Sequence, residues 1–464
     1  MIRFDNSYAK LPERMFARTL PARAPAPRLI AVNDGLAARL GIDAGWLEGP
    51  GGVDMIAGRA LPEGADPLAM AYAGHQFGNF VPQLGDGRAV LLGEIVAPDG
   101  ARFDLQLKGA GRTVFSRGGD GLAALGPVLR EFLVSEFMHA AGVPTTRTLG
   151  AVLTGAEVMR EAPLQGAVLA RVAASHIRVG TFEYFAVRRD LEAIEALLEQ
   201  VRARHFPSAG SPLEVLDAAI AAQAETIAHW MALGFIHGVM NTDNMALSGE
   251  TIDYGPCAFM DGFAPGKVFS SIDHAGRYAY DRQPQIAVWN LAQFASCLIP
   301  LMGEENQAIR AATDAVHGFP ARFEAARAAR FARKLGLPCD QAAGRADTLL
   351  DLMARHEADF TATFSALTAD EDTGLEEDDA FREWRRDWEA QGPDRAVMAQ
   401  ANPLRIPRNH RIEEVIAAGY AGDLGPFRAL LGAVSAPFEA RAEWDEYADP
   451  PLPRQIVRRT FCGT

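Results

Sequence analysis

Cysteine and lysine are both scarce in this chain, and each scarcity excludes something. Only Cys257, Cys297, Cys339 and Cys462 occur in 464 residues. None forms a C-x-x-C, and no Cys/His spacing suits a structural zinc. Lysine is limited to Lys10, Lys108, Lys267 and Lys334, so arginine carries nearly all the positive charge and a lysine on an apolar strand stands out. Net positive charge is missing too: the formal value of −14 argues against nonspecific binding to nucleic acid or anionic membranes. No apolar run is long enough to span a bilayer, and residues 1–30 lack the apolar core of a signal peptide. Asp5 and Glu13 speak against a transit peptide around Arg23. The expectation is a cytoplasmic protein with neither nucleic-acid nor membrane partners. The hydrophobic share, 48%, excludes general disorder, and the length allows two or three domains or one two-lobed unit.

What is present is organised around residues 235–255, FIHGVMNTDNMALSGETIDYG. His237 precedes Asn244 by seven positions, and Asp253 opens an Asp-Tyr-Gly triplet nine positions later. A phosphotransferase loop of the H-R-D-x-x-x-x-N kind followed by D-F-G has this layout. Its physical purpose is to let an Asn and an Asp hold Mg2+ against nucleotide phosphates. Met245–Leu247 and Thr251–Ile252 are expected as short strands of a hairpin around Ser248-Gly249-Glu250. Where a kinase carries its catalytic Asp, two residues after His237, this chain has Val239, and Asp243 is the only carboxylate left in the loop. Either the chain is a dead kinase relative or Asp243 has become the base.

The order of the other motifs fits the same frame. Residues 1–70 read as an N-terminal extension with helical snatches such as Ala31 to Leu40. Leu84-Gly85-Asp86-Gly87-Arg88 is a glycine turn whose amides can approach an anion. Strands follow at Ala89 to Leu92 and Phe103 to Leu107, the second ending in Lys108. Another glycine-rich stretch, Gly109 to Gly121, leads to a helix from about Pro127. On that helix Glu131 is the expected ion-pair partner of Lys108, with Glu136 as second choice. Strand signals return at Gly150 to Leu153 and Val168 to Val172. A capping box at Ser211-Pro212-Leu213-Glu214 starts the helix that feeds the His237 loop. Beyond Gln283 the pattern is helical, with one helix expected over Ala346 to Leu367. The acidic run Glu371 to Asp379 reads as a solvated turn. A Rossmann fingerprint, a Walker A loop and a G-x-S-x-G elbow are all missing. The fold class is therefore α+β, a bilobed protein-kinase-like arrangement with a β-rich N-lobe (71–190), a helical C-lobe (191–335) and a helical C-terminal extension (336–464).

HQFGNFVPQLGDGRA, DLQLKGAGRTVFSRGGDGLAALGPVLREFLVSEFMHA, LARVAASHIRVGTFEYF and HGVMNTDNMALSGETIDYGPCAFMD resemble the selenoprotein O (YdiU) family of kinase-like protein adenylyltransferases. The resemblance extends through NPLRIPRNHRIEEVI to Cys462, where some relatives carry selenocysteine. It implies that ATP is bound flipped relative to a kinase, and that AMP passes to a Ser, Thr or Tyr hydroxyl of a protein with release of pyrophosphate. It further implies that Gly85, Gly87, Arg88, Lys108, Asp120, Gly121, Arg171, Arg178 and Asp253 bind ATP. Asp243 would be the proton acceptor, and Asn244 and Asp253 would hold Mg2+ or Mn2+. Read on their own, Arg171 and Arg178 flank Ser175-His176 after a strand, and two permanent cations can grip a polyphosphate bidentately. The implied partners are hydroxyl-bearing proteins, among them redox-related proteins and the chain itself. The resemblance also supports a regulatory disulfide between Cys257 and Cys462. Two other readings stay open: an aminoglycoside-kinase-like phosphotransferase, whose loop would normally carry Asp at position 239, and a non-catalytic ATP-binding pseudokinase.

Overall fold

The computed structural model describes residues 2–461. Its N-terminal part is built on β1 (Phe16–Arg18), β2 (Arg28–Val32), β3 (Leu68–Met70), β6 (Ala89–Val96), β7 (Arg102–Lys108), β8 (Ala123–Ala124), β9 (Arg147–Met159) and β10 (Pro163–Ala173). A separate small hairpin joins β4 (Gly74–Gln76) to β5 (Asn79–Val81). The main sheet runs β1-β3-β6-β7-β10-β9-β2, with β8 pairing β10. Every pairing in it is antiparallel. The stretch expected as an N-terminal extension is thus woven in, supplying strands at both edges.

Strand alternation sorts the side chains of this sheet into two environments. Leu105, Leu107, Val168, Ala170 and Val172 face the back, where they pack with Leu36, Leu40, Leu47 and Ile56. Those four come from α1 (Asp34–Leu40), α2 (Ala44–Glu48) and α3 (Pro50–Ile56). Burying each leucine, valine or isoleucine among them contributes about 1.5–3 kcal/mol. The other face of the same strands carries Gln106 and Lys108 on β7 and Leu169 and Arg171 on β10. In the register Arg171 lies opposite Gln106, and Leu169 opposite Lys108. Two cations on one face of a central strand pair cannot be left in an apolar core, so this face must line a polar cleft or meet acids.

Acids are supplied by α4 (Leu125–Ala140), which packs across β9 and β10. It starts two residues before Pro127, which costs nothing because an N–H in the first turn has no intrahelical partner. α5 (Val179–Ala186) and α6 (Leu191–His205) lead to α7 (Pro212–Ala232), capped by the Ser211 hydroxyl accepting from Glu214 N at 3.2 Å. α7 delivers the chain into the loop at His237, and α8 (Gln283–Leu298) packs beside it. The rest is helical, so the chain is α+β with a sheet-rich N-terminal and a helical C-terminal part.

Three local expectations need correction. Ala31 and Val32 belong to β2, and the helix begins only after Asn33, whose side chain caps it. The helix expected over Ala346 to Leu367 is two, Arg345–His356 and Phe360–Ala369. Glu357 turns left-handed between them (φ 47°) and Asp359 caps the second. The strands around Ser248-Gly249-Glu250 do not pair with each other: Ala246 bridges to Arg178 and Thr251 to Thr145. Side chains of α7 explain this, since Gln223 donates to the Ala246 carbonyl (2.8 Å) and Thr226 to that of Gly249 (2.7 Å).

The C-terminal helices are tied back by buried polar groups. Arg408, 1% exposed, reaches Asp261 at 2.7 Å and Asp359 at 2.8 Å. Asn409 donates to the Phe259 carbonyl at 2.8 Å, and Tyr420 Oη accepts from Gly126 N of α4. Lys334, at the end of the helix Phe319–Leu335, is buried with its ammonium 4.0 Å from the Phe364 ring centre. Burial pushes its pKa down to about 7. The folded state therefore favours neutral Lys334, while the unfolded chain holds the proton until its ordinary value, 10.5. Below about 7 both states are protonated and the folded state bears the full cost; stability is recovered as pH rises from there. Lys334→Met should stabilise the fold most at pH 6, by about 2–4 kcal/mol, and progressively less toward pH 9, with the thermal midpoint rising in the same order. An equal shift at every pH in a melting series would contradict this account.

Candidate active site

The cleft in front of the cationic sheet face has a volume of about 590 Å³. Its floor is a network of buried charge. Lys108 Nζ lies 2.5 Å from Glu131 Oε2 and 2.7 Å from Asp253 Oδ1. Arg171 donates to the same Asp253 oxygen at 2.7 Å and to Gln106 Oε1 at 2.6 Å, with Glu131 at 3.4 Å. Glu136 is not available to Lys108, because Arg147 holds it at 2.8 Å. Arg178, 2% exposed, lies 3.7 Å from Asp86 and 3.8 Å from Asp253 Oδ2, and covers the Tyr72 ring at 4.3 Å. Burial works against ionisation of Asp253, but Lys108, Arg171 and Arg178 together overcome it and hold the carboxyl well below its usual range.

The loop that carries Asp253 is strained and braced. Asp253 has φ 63°, a left-handed conformation that costs a non-glycine residue about 1–3 kcal/mol. His237 provides the brace: its Nε2 hydrogen-bonds the Ile252 carbonyl at 2.9 Å, and its ring stacks on Trp230. Gln283 Oε1 accepts from His237 N at 3.0 Å. Val239 is buried, and its carbonyl accepts from Asn244 Nδ2 at 2.8 Å. That bond occupies the amide nitrogen of Asn244 and leaves its oxygen for a cation.

Asp243 sits on a short 3-10 turn, Thr242–Asn244, against two glycines. A Cβ on Gly74 would stand 2.5 Å from its Oδ1, and one on Gly180 would strike the Ala73 carbonyl at 2.1 Å and the Asp243 Cα at 3.3 Å. The Oδ1 atom is buried without a hydrogen-bond partner. Burial pushes this carboxyl up to about 6 although Arg178 opposes the shift. A desolvated carboxyl raised by burial, with one oxygen left unpartnered at a polar cleft, is suited to accept a proton.

At the cleft's mouth Gly85 (φ 71°) turns under Phe115, whose ring a Cβ would meet at 2.3 Å. Gly87, Arg88, Asp120 and Gly121 complete that wall with Arg117 and Arg160. Asp120 is held by Arg160 at 2.8 Å and accepts from Leu122 N at 2.9 Å. The cleft thus brings together Gly85, Gly87, Arg88, Lys108, Asp120, Gly121, Arg171, Arg178, Asp243, Asn244 and Asp253, with Glu131 behind Lys108. Cys257 lies buried just beyond, its thiol pushed up to about 12 by burial; Cys462 falls outside the described residues. Tyr72, Asp86, Gln106 and Arg160 also belong to this site and were not singled out from sequence. Gln106 had a usable signal, since it stands two residues before Lys108 on one strand and must share its face. Gly74→Ala should lower turnover by displacing Asp243 while sparing nucleotide affinity. Equal loss of both in paired turnover and binding measurements would contradict that reading.

The family model described as protein adenylyltransferase SelO matches residues 1–435. A protein nucleotidyltransferase YdiU from Bradyrhizobium diazoefficiens is 54% identical over 99% of both chains. Relatives of the same name from Rhodopseudomonas palustris strain BisB5 and from Jannaschia sp. strain CCS1 are 54% and 55% identical, again over 99% of both chains. Among the described residues no helix is long and apolar enough to cross a membrane.

Proposed function

The chain belongs to the protein adenylyltransferase SelO family and is a nucleotidyltransferase, and from that premise we propose that it transfers AMP from ATP to Ser, Thr or Tyr hydroxyls of protein substrates in the cytoplasm, releasing pyrophosphate. The observation that carries the proposal is the pairing of an uncommitted base with a cationic floor. Asp243 Oδ1 has no partner, while Lys108, Arg171 and Arg178 converge beside it on Asp253. A kinase base two residues after His237 is ruled out chemically, because Val239 has no proton-accepting group. ATP bound flipped, with its polyphosphate tail on Arg171 and Arg178 and its α-phosphate toward Asp243, fits a base displaced along the loop.

The donor set fits a hard divalent cation, Mg2+ or Mn2+, held by the Asn244 amide oxygen and the Asp253 carboxylate. Among the described residues no three His, Cys, Asp or Glu side chains converge as a metal cluster, so phosphate and water oxygens would complete the shell, as is usual for Mg2+. Such an ion, when bound, supplies charge neutralisation of the phosphates. The chain's own residues do the rest. Asp243 takes the proton from the acceptor hydroxyl at an oxygen kept free of competing donors. Lys108, Arg171 and Arg178 stabilise the charge that grows on the departing pyrophosphate, and they are already oriented by Glu131, Gln106 and Tyr72. Arg88 and Arg117, which have no carboxylate partner among the described residues, extend the positive wall toward the mouth.

The deciding experiment uses ATP labelled separately at the α- and γ-phosphates with Mg2+ or Mn2+, read by mass spectrometry. An AMP adduct carrying only the α label, on a protein substrate or on the chain itself, is expected. Exclusive γ label would make the chain a phosphotransferase, and bound ATP with no label a pseudokinase. Asp243→Asn should keep ATP binding and slow transfer by ~10²–10⁴, and Asp253→Ala should abolish metal-dependent turnover.

The disulfide between Cys257 and Cys462 belongs to the same proposal. Its support is the docking of nearby Thr460, whose hydroxyl donates to the Pro256 carbonyl and whose N–H donates to Phe269 O at 2.8 Å. The end of the described chain therefore lies beside Cys257. A pairing formed in a cytosolic setting would be reversible. Peptide mapping of the oxidised protein without reductant should recover a Cys257–Cys462 pair, and its absence would remove the redox role.

A further inference from the structure

The acceptor must approach Asp243, and the element standing beside that carboxylate is the β4–β5 hairpin. The hairpin is bonded to the catalytic loop rather than merely packed on it. Thr242 Oγ1 accepts from His75 N at 2.7 Å, and Asn241 Oδ1 accepts from Phe77 N at 3.1 Å. Glu183 joins the two, taking the Thr242 hydroxyl on one oxygen and contacting His75 Nδ1 with the other, each at 2.5 Å. The hairpin's first residue, Gly74, touches Asp243. Its turn residue, Gly78, lies against Arg277: a Cβ there would stand 3.5 Å from the guanidinium carbon.

Arg277 is a cation held ready without an acid. Its guanidinium lies 4.9 Å from the Trp289 ring centre and 5.8 Å from that of Tyr278. The neighbouring carboxylate, Asp273, is already spent on backbone N–H groups, those of Arg277 at 2.9 Å and Tyr278 at 2.8 Å. Its Nε is buried with no hydrogen-bond partner, and among the described residues no carboxylate stands within ion-pair distance of it. In a chain of net charge −14, an arginine fixed by aromatic stacking yet unneutralised is suited to an anionic group from outside. Between the two ends of the hairpin, Phe77 and Ile272 line the cleft, and Ile272 is 52% exposed. β4 ends at Gln76 and Phe77 and Gly78 turn left-handed (φ 52° and 82°), so Gly78 stands at most roughly 13 Å from Gly74, the length of an extended acceptor segment of four residues at about 3.3 Å each.

We propose that Arg277 is a specificity residue for the protein acceptor: it binds an Asp or Glu side chain three or four residues from the modified hydroxyl, on a segment running extended along the β4–β5 hairpin. This inference rests on the protein-adenylylation reading above and names the substrate feature that reading leaves open.

The test is a set of otherwise neutral Ser-containing peptides in which a single Glu is moved from five residues before the Ser to five after it. Each is incubated with Mg2+ and α-labelled ATP, and label on the chain itself is followed in parallel. The wild-type protein should prefer Glu three or four residues away by roughly tenfold in kcat/KM, the weight of one charge-assisted pair. Arg277→Gln should lose the preference, Arg277→Lys should keep part of it, and Arg277→Glu should prefer Lys at that position. Nucleotide binding and thermal midpoint, measured on all variants, should be unchanged; a shifted preference accompanied by lost nucleotide binding in Arg277→Gln would assign Arg277 to the fold and overturn the proposal. Labelling that ignores the position of Glu, or a preference that survives in Arg277→Gln, would overturn it while adenylylation stands. No α label on any peptide or on the chain would instead overturn the transfer reading beneath it.

Discussion

The structure depends on balancing charge in a place where water does little of the work. Lys108, Arg171 and Arg178 bring three positive charges to the floor of the cleft; Glu131, Asp253 and Asp86 answer them. Charges this deeply buried persist only when paired, and loss of one partner strands the others at a cost of about 3–5 kcal/mol. The balance is also why the cleft can change occupants. In the proposed function a polyphosphate would offer the arginines and lysine the same kind of oxygen that Asp253 offers them, which would free Asp253 to face a cation.

That balance has to be assembled from distant parts of the chain, and each part is held by groups that never enter the cleft. The sheet register places Arg171 against Gln106, two residue pairs along from Lys108 and so on the same face. α4 brings Glu131, and its neighbour Glu136 is kept out of the network by Arg147. The helical part contributes Asp253 through a loop whose left-handed turn is held by His237 on the preceding carbonyl. The helix Asn409–Tyr420 reaches back to α4 through Tyr420. The C-terminal extension thus steadies the helix that presents Glu131, although it lies far from the nucleotide cleft in sequence.

Much of this was legible in the sequence, and the legible part has a common cause. Glycine turns, a strand-end lysine, a capped helix and the His237–Asn244–Asp253 spacing are local signals, each readable within one short stretch of chain. The features that were misjudged or missed depend on pairing between remote segments. Residues 1–70 appeared as an extension because nothing in β1, β2 or β3 announces which edge each will join. Thr251 reads locally as part of a hairpin, whereas its partner is Thr145. Asp86 reads locally as the residue between two glycines, yet its Oδ2 accepts from Met70 N at 3.0 Å and from Gln106 at 3.1 Å. Those partners became visible only once the register was fixed.

The proposed shift of the base to Asp243 would show the same dependence on distant small residues. Position 239 still serves the loop, but through its backbone carbonyl, which fixes the Asn244 amide. Asp243, four residues on, can occupy its place only because Gly74 and Gly180 carry no Cβ. Arg178, at the N-terminus of α5, offsets part of the burial cost of its ionisation, with help from hydrogen bonds of its own backbone and of the Gln76 side chain. A carboxylate near neutrality is more useful as a base than one locked in an ion pair, since it can still gain a proton under the conditions in which it must act. Asp243 as base would therefore rest on two absent methyl groups and on the groups that offset its burial. The same position sets Asp243 beside the β4–β5 hairpin, which would give that hairpin a direct edge on the proposed reacting centre.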